Sequence, residues 1–223
     1  MATANRIEDT QAQTVGQEAA AWQAKVREGR RAGDPAANLV LAITAADAIE
    51  QRIADQAGWT EDERSALMAV KGLAYTAAAD VWPGWEVNGP TFDTRVLQDG
   101  QNLAQRSADW TKKLEQGPVK EATGIWLVGA FDLALGKLDD AIDKFAAATD
   151  MYRAGSAPGL VLLTEGYSVI VKGLRAQKSH EAISEDLEKT VADINASGVK
   201  DGQQWIEQLR TALLAFSKPE GSV

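Results

Sequence analysis

The chain is 223 residues long, with 45% hydrophobic and 25% charged residues, a composition that folds around a core and lies far from the low-hydrophobicity signature of disorder. Its net charge of −9 removes any diffuse attraction to phosphate backbones or anionic lipid, so neither nucleic acid nor a membrane is an expected partner. Cysteine is absent, which excludes a disulfide framework, a thiolate nucleophile and the common cysteine-containing zinc sites.

Residues 1–10 lack the charged-then-apolar pattern of a secretory leader, and the longest apolar stretch, Ile125 to Phe131, is far short of a membrane span. A cytoplasmic protein is the expectation. From there the apolar spacing is helical nearly everywhere. Val15, Ala19, Trp22 and Val26 mark one face of a first helix, and Leu39, Ile43, Ala46 and Ile53 mark a second. Leu67, Val70, Ala74, Ala77 and Val81 make the stripe of a third, and Trp205, Leu209, Ala212, Leu213 and Phe216 that of the last. No segment alternates with period two.

Local punctuation sharpens the boundaries. Asp34-Pro35 is an N-cap followed by the residue best tolerated in a first turn, and Thr60 with Glu63 forms a capping box. Gly33, Gly58, Gly117, Gly136, Gly155 and Gly198 each fall just past a periodic segment, where a left-handed residue closes a helix. The cations Lys25, Arg27, Arg30 and Arg31 gather where the first helix ends, and there they complement its dipole. The pattern predicts about nine helices, over residues 8–31, 35–57, 61–82, 94–115, 119–135, 138–154, 159–177, 180–197 and 201–217. Connections are short, which sets neighbours antiparallel; the exception is Trp82 to Asp93.

Three helices carry a glycine in a similar setting: VKGLAY at Gly72, LVGAFD at Gly129 and TEGYSV at Gly166. Asp140-Ala141-Ile142 and Glu181-Ala182-Ile183 echo one another about forty residues apart, a period that suggests repeated helix pairs. A glycine in the first helix of a pair would let a bulky side chain of its partner approach closely.

The stretch Ala122 to Arg153 resembles a tetratricopeptide repeat. Trp126, Val128, Gly129, Gly136, Leu138, Ala141, Phe145 and Ala148 match that family's spacing of large and small residues, while Asp132 replaces the usual aromatic and Arg153 the usual closing proline. Gly159 to Asn195 is similar to a divergent copy, and residues 61–115 diverge further. The expected fold is therefore all-α: antiparallel pairs stacked as a tetratricopeptide-like α-solenoid in one unit over 1–223. Divergent pairs would occupy 8–117, tetratricopeptide-like pairs 118–198 and a C-terminal capping helix 199–217.

The resemblance implies a concave wall built from the first helix of each pair, with Trp126, Ala130, Leu133, Tyr167, Ile170 and Val171 on one apolar surface. A peptide, a helical protein partner or a second copy of the chain would dock there, as on a scaffold without catalytic function. The alternative is that these side chains are core, covered by the amino-terminal helices. Leu127 and Thr164 stand where some family members clamp a peptide carboxylate with asparagine and lysine, so a carboxyl terminus is not the favoured ligand.

Two further patterns compete with that reading. The longest loop holds Trp82, Trp85 and Asn88, and tryptophans at a rigid turn form either a stacking platform for a small molecule or a plug under the loop. Trp22, Trp59, Trp110 and Trp205 read as core. Asp139, Asp140 and Asp143 form a DDxxD string that resembles the magnesium-holding motif of isoprenoid synthases, which would imply a metal-dependent enzyme. The same acids lie in the first turn of a helix, where the dipole favours them. Gly129 to Lys137 has the wrong spacing for a phosphate loop. His180, the sole histidine, reads as surface polarity. Neither a cofactor nor a resident metal is expected.

Overall fold

A computed structural model describes residues 13–53, 58–87 and 89–217. Among them are nine α-helices and no strand: α1 Val15–Arg31, α2 Pro35–Arg52, α3 Glu61–Asp80, α4 Thr94–Lys113, α5 Pro118–Ala134, α6 Leu138–Ala154, α7 Pro158–Arg175, α8 His180–Ser197 and α9 Gly202–Phe216. A short 3-10 turn, Pro83–Trp85, interrupts the α3–α4 connection. None of the described helices is long and apolar enough to cross a membrane.

The boundaries have local causes. Asp34 caps α2 by accepting from the Ala37 amide, with Pro35 in the first turn. Thr60 and Glu63 exchange the two bonds of a capping box at α3. A second box, Thr14 with Gln17, starts α1 at Val15 rather than at residue 8, and residues 8–12 of that expectation lie outside the described residues. Five of the six closing glycines adopt positive φ. Gly155 does not: its φ is −83° and Ser156 takes the left-handed conformation at 56°. Gly155 is required for a different reason, since an added Cβ would lie 2.5 Å from the Val119 side chain.

Consecutive helices pack in series: α1 and α2 against α3, then α3 against α4, α4 against α5, α5 against α6, α6 against α7 and α7 against α8. Short turns make neighbours antiparallel, and each helix buries a stripe that it could not bury alone. The result is a stack of helices around one contiguous apolar core.

The series does not end on a simple cap. α9 packs against α8, turns back to α7 and reaches the 3-10 turn between α3 and α4. The joint is aromatic. Trp82 is 1% exposed, and its ring lies 5.8 Å from Trp126, 5.9 Å from Tyr167 and 6.0 Å from Phe216, centroid to centroid. Its indole N–H donates to the Ala130 carbonyl in α5 at 2.8 Å, which satisfies the one polar group of a buried tryptophan. Gly84 allows this packing, because a Cβ there would come within 2.3 Å of the Trp82 ring.

The echoed glycines prove to be different structural positions. Gly129 behaves as its pair geometry requires, with Phe145 and Lys144 of α6 against it. Gly166 admits Leu209 of α9 rather than a side chain of α8, and an added Cβ at Gly72 would meet nothing within 4 Å. The close approach between α7 and α8 is made instead at Gly173, against Ile183.

Removing the joint tests its weight. Trp82→Ala is expected to lower stability by about 3–5 kcal/mol, read by urea denaturation followed with circular dichroism. A loss below about 1 kcal/mol would mean that the aromatic joint is peripheral to the fold.

Candidate functional site

The six residues expected on an open wall are interior. Ala130, Tyr167, Ile170 and Val171 are fully buried, and Leu133 and Trp126 retain only 3% and 6% exposure. Two of them meet directly, as Trp126 and Tyr167 are 5.3 Å apart between centroids. What covers that side is Trp82 and α9, not the amino-terminal helices: Leu209 seats on Gly166, and the Gln208 amide donates to the Tyr167 hydroxyl at 2.8 Å. These six side chains thus present almost no surface for a partner to touch.

One end of the wall stays open as a cleft of about 170 Å³, lined by Tyr75, Trp85, Thr123, Trp126, Tyr152, Leu160, Leu163, Thr164 and Gln208. Five helices and the 3-10 turn contribute. The loop tryptophans therefore divide between the two expected roles: Trp82 is the plug, and Trp85, 40% exposed, stands at the mouth. Trp85 is held there by an indole bond to the Ala79 carbonyl and by an edge contact with Trp82 at 4.8 Å. Asn88, the third residue expected in this loop site, lies outside the described residues.

Most polar groups of the cleft are already bonded within the protein. Tyr152 donates to the Thr123 hydroxyl, which donates in turn to the Val119 carbonyl, and Thr164 donates to the Leu160 carbonyl. Among the described residues the Tyr75 hydroxyl and the Gln208 carbonyl oxygen make no bond within the protein, and the buried indole N–H of Trp126 has no acceptor. Such an orphan is uncommon in native interiors and costs about 1–3 kcal/mol when left unmet.

The titratable groups beside the cleft are phenols. Burial pushes Tyr75 up to about 12, with the charge of neighbouring Tyr152 adding to the effect. Burial raises Tyr152 as well, against the Thr123 hydrogen bond. Tyr167 is raised furthest, by complete burial, with Gln208 opposing. Each phenol is thus a neutral hydroxyl at physiological pH.

The acidic string does not assemble as a metal centre. Asp139 pairs with Arg175 at 2.6 Å, while Asp140 and Asp143 turn to a groove shared with Gln101, Asp132 and Lys144. Among the described residues no three carboxylate or imidazole groups lie close enough to hold a metal ion. Asp132 is bonded by the Gln101 amide, and its pKa is raised by burial against that bond. His180 is more than surface polarity: its Nδ1 lies 2.8 Å from the Ser217 hydroxyl, tying the start of α8 to the end of α9. The Ser217 hydroxyl also lies 2.6 Å from the Leu213 carbonyl, so it is held between a ring nitrogen of α8 and a main-chain oxygen of α9.

Tyr75, Thr123, Tyr152, Leu160, Leu163 and Gln208 escaped the reading from sequence. The polar members of this set were signalled only by polarity within otherwise apolar helical faces, and the two leucines by nothing that sets them apart from core.

Alkaline titration reports on these phenols. A free tyrosine is half ionised near pH 10, whereas all three tyrosines here are raised. A phenol with a raised folded pKa contributes stability that is complete below about pH 10 and lost as pH climbs through the folded value. Absorbance at 295 nm should show almost no tyrosinate in the native protein at pH 10, with unfolding setting in between pH 10 and 12. Half-ionisation at pH 10 with native circular dichroism would contradict the burial. Compared with protein-family models, curated proteins and solved structures, the chain matches none, which leaves the chemistry of the cleft as the ground for its function.

Proposed function

We infer that this chain is a non-enzymatic, small-molecule-binding helical domain: a tetratricopeptide-like stack whose concave side has closed down to an aromatic cleft lined by Tyr75, Trp85, Trp126 and Tyr152. The observation that carries this reading is the cleft itself, in which Tyr75, Trp85, Trp126 and Tyr152 meet at one opening. Largely apolar concave sites with a few placed polar groups are the usual form of small-molecule sites. A scaffold role on the wall of Trp126, Ala130, Leu133, Tyr167, Ile170 and Val171 is disfavoured, because a partner would first have to strip away α9 and Trp82.

The absence of catalytic function in this reading is supported by the character of the groups present. The phenols around the cleft hold their protons well above neutral pH, so they are poorly poised for acid–base transfer under physiological conditions. They can orient and enclose a ligand.

The chain holds seven tryptophans, and their indole N–H signals give a map of binding by nitrogen–proton correlation NMR. Titration with toluene is expected to shift the signals of Trp85 and Trp126 saturably while Trp22, Trp59 and Trp110 stay in place. Leu160→Trp, which fills the cleft from its rim, should weaken that response at least tenfold and leave the helical circular dichroism unchanged. No shift at millimolar toluene, or equal shifts at all seven signals, would remove the reading.

A further inference from the structure

We propose that the groove between α1 and α3 is a docking site for an acidic amphipathic helix of a partner protein. It shares no residue with the aromatic cleft, so it stands or falls apart from the small-molecule reading.

The groove follows from helical spacing. Val26, Arg27 and Arg30 of α1 recur at steps of three and four, as do Met68, Ala69, Gly72 and Leu73 of α3, so each set occupies one helical face. The two helices run parallel: the Gly16 amide donates to Asp62 near their starts, and Arg30 pairs with Asp80 at their ends. Their facing stripes border a space of about 640 Å³.

Gly72 has no internal reason to be glycine. Glycine weakens the middle of a helix, and Gly72 stands well inside α3. At Gly129, Gly166 and Gly173 a side chain of a neighbouring helix occupies the space that a Cβ would need, whereas at Gly72 nothing lies within 4 Å of that point. A bare floor at this place admits the close approach of an incoming segment.

The groove is apolar along its floor and cationic along one rim. Met68 is 47% exposed, and methionine adapts to varied apolar partners. Ala69 and Leu73 continue the patch beside the buried Val26. The two charged residues that line the groove are both arginines. Arg30 is bound to Asp80, while Arg27 makes no ion pair among the described residues. Lys25 and Arg31 add to this rim on α1. In a chain of net charge −9, it is here that an acidic partner meets attraction instead of repulsion.

Shape then selects the occupant. The floor from Ser65 to Thr76 runs about 16 Å, or roughly three helical turns. Two helices offer no strand edge, so an extended segment would find no main-chain partners along them. A helix bonds its own backbone and lays apolar side chains at i, i+4 and i+7 into a groove of this kind. A phosphate backbone would engage the arginines and leave Met68 and Leu73 uncovered.

The test is a selection of displayed helical peptides of about fourteen residues against the full chain, with counter-selection on Gly72→Trp. Enriched peptides are expected to carry apolar residues at i, i+4 and i+7 flanked by Asp and Glu. The tightest of them should shift the amide signals of Ala69, Gly72 and Leu73 in nitrogen–proton correlation NMR and leave the Trp85 and Trp126 indoles in place. Arg27→Glu and Gly72→Trp should each weaken it at least tenfold, with helical circular dichroism unchanged because both positions are open to solvent. No enriched peptide, enrichment without an acidic excess, or affinity indifferent to Arg27→Glu would overturn the proposal. Tighter binding of a single-stranded RNA oligonucleotide than of the best acidic peptide would overturn it too, and would assign the arginines to phosphate.

Discussion

Burial of the Trp82 indole between α5, α7 and α9 is the interaction on which the shape of this protein depends. A series of antiparallel helices has no intrinsic reason to close, because each unit contacts mainly its neighbours and the inner wall is left free. Trp82 changes that. Its ring occupies the space in front of Trp126 and Tyr167, its N–H bonds to the Ala130 carbonyl, and its outer side receives Phe216. The C-terminal helix is thereby drawn across the wall, and a surface suited to docking becomes an interior. Gly84 and Gly166 are the enabling residues, one beneath the Trp82 ring and the other beneath Leu209.

What survives of the concave side is small and departs from ordinary interior rules. It keeps an unfilled volume, four aromatic residues at one opening and, close by, a buried donor without an acceptor among the described residues. Each of these features reduces stability relative to a filled, satisfied core. Departures of this kind gather where a chain binds something, since elsewhere packing removes them. The nearby cluster of Asp140, Asp143, Asp132 and Lys144 is different: it is a polar groove at the surface of α4, α5 and α6, with charges of both signs and with Asp132 already bonded by Gln101.

The sequence made the helices legible and the closure illegible, for physical reasons. Helix class and boundaries follow from local rules, and Asp34-Pro35, Thr60 with Glu63 and the closing glycines state those rules openly. Contacts between α9 and the turn after α3 join segments far apart in the chain, and no local pattern encodes them. The aromatic character of the Trp82 loop was visible, but its partition into a plug and a half-exposed gate depends on what arrives from α9. Gly72, Gly129 and Gly166 show the hazard of the opposite inference: similar flanking residues suggested one repeated contact, yet their neighbours are open space, α6 and α9. Tyr75 and Tyr152 were overlooked because a tyrosine on an apolar helical face looks like any other core residue until its hydroxyl is placed.

The closure itself is open to direct measurement, and the absence of native cysteine makes labelling simple. Nitroxides at Glu86→Cys, beside the 3-10 turn, and Arg210→Cys, on the outer face of α9, report the separation of the two segments by double electron–electron resonance. A closed stack gives one short, narrow distance distribution that persists up to the global unfolding transition. A broad or long-distance distribution in the native protein would mean that α9 does not hold the wall shut, and with it the enclosed cleft would be lost.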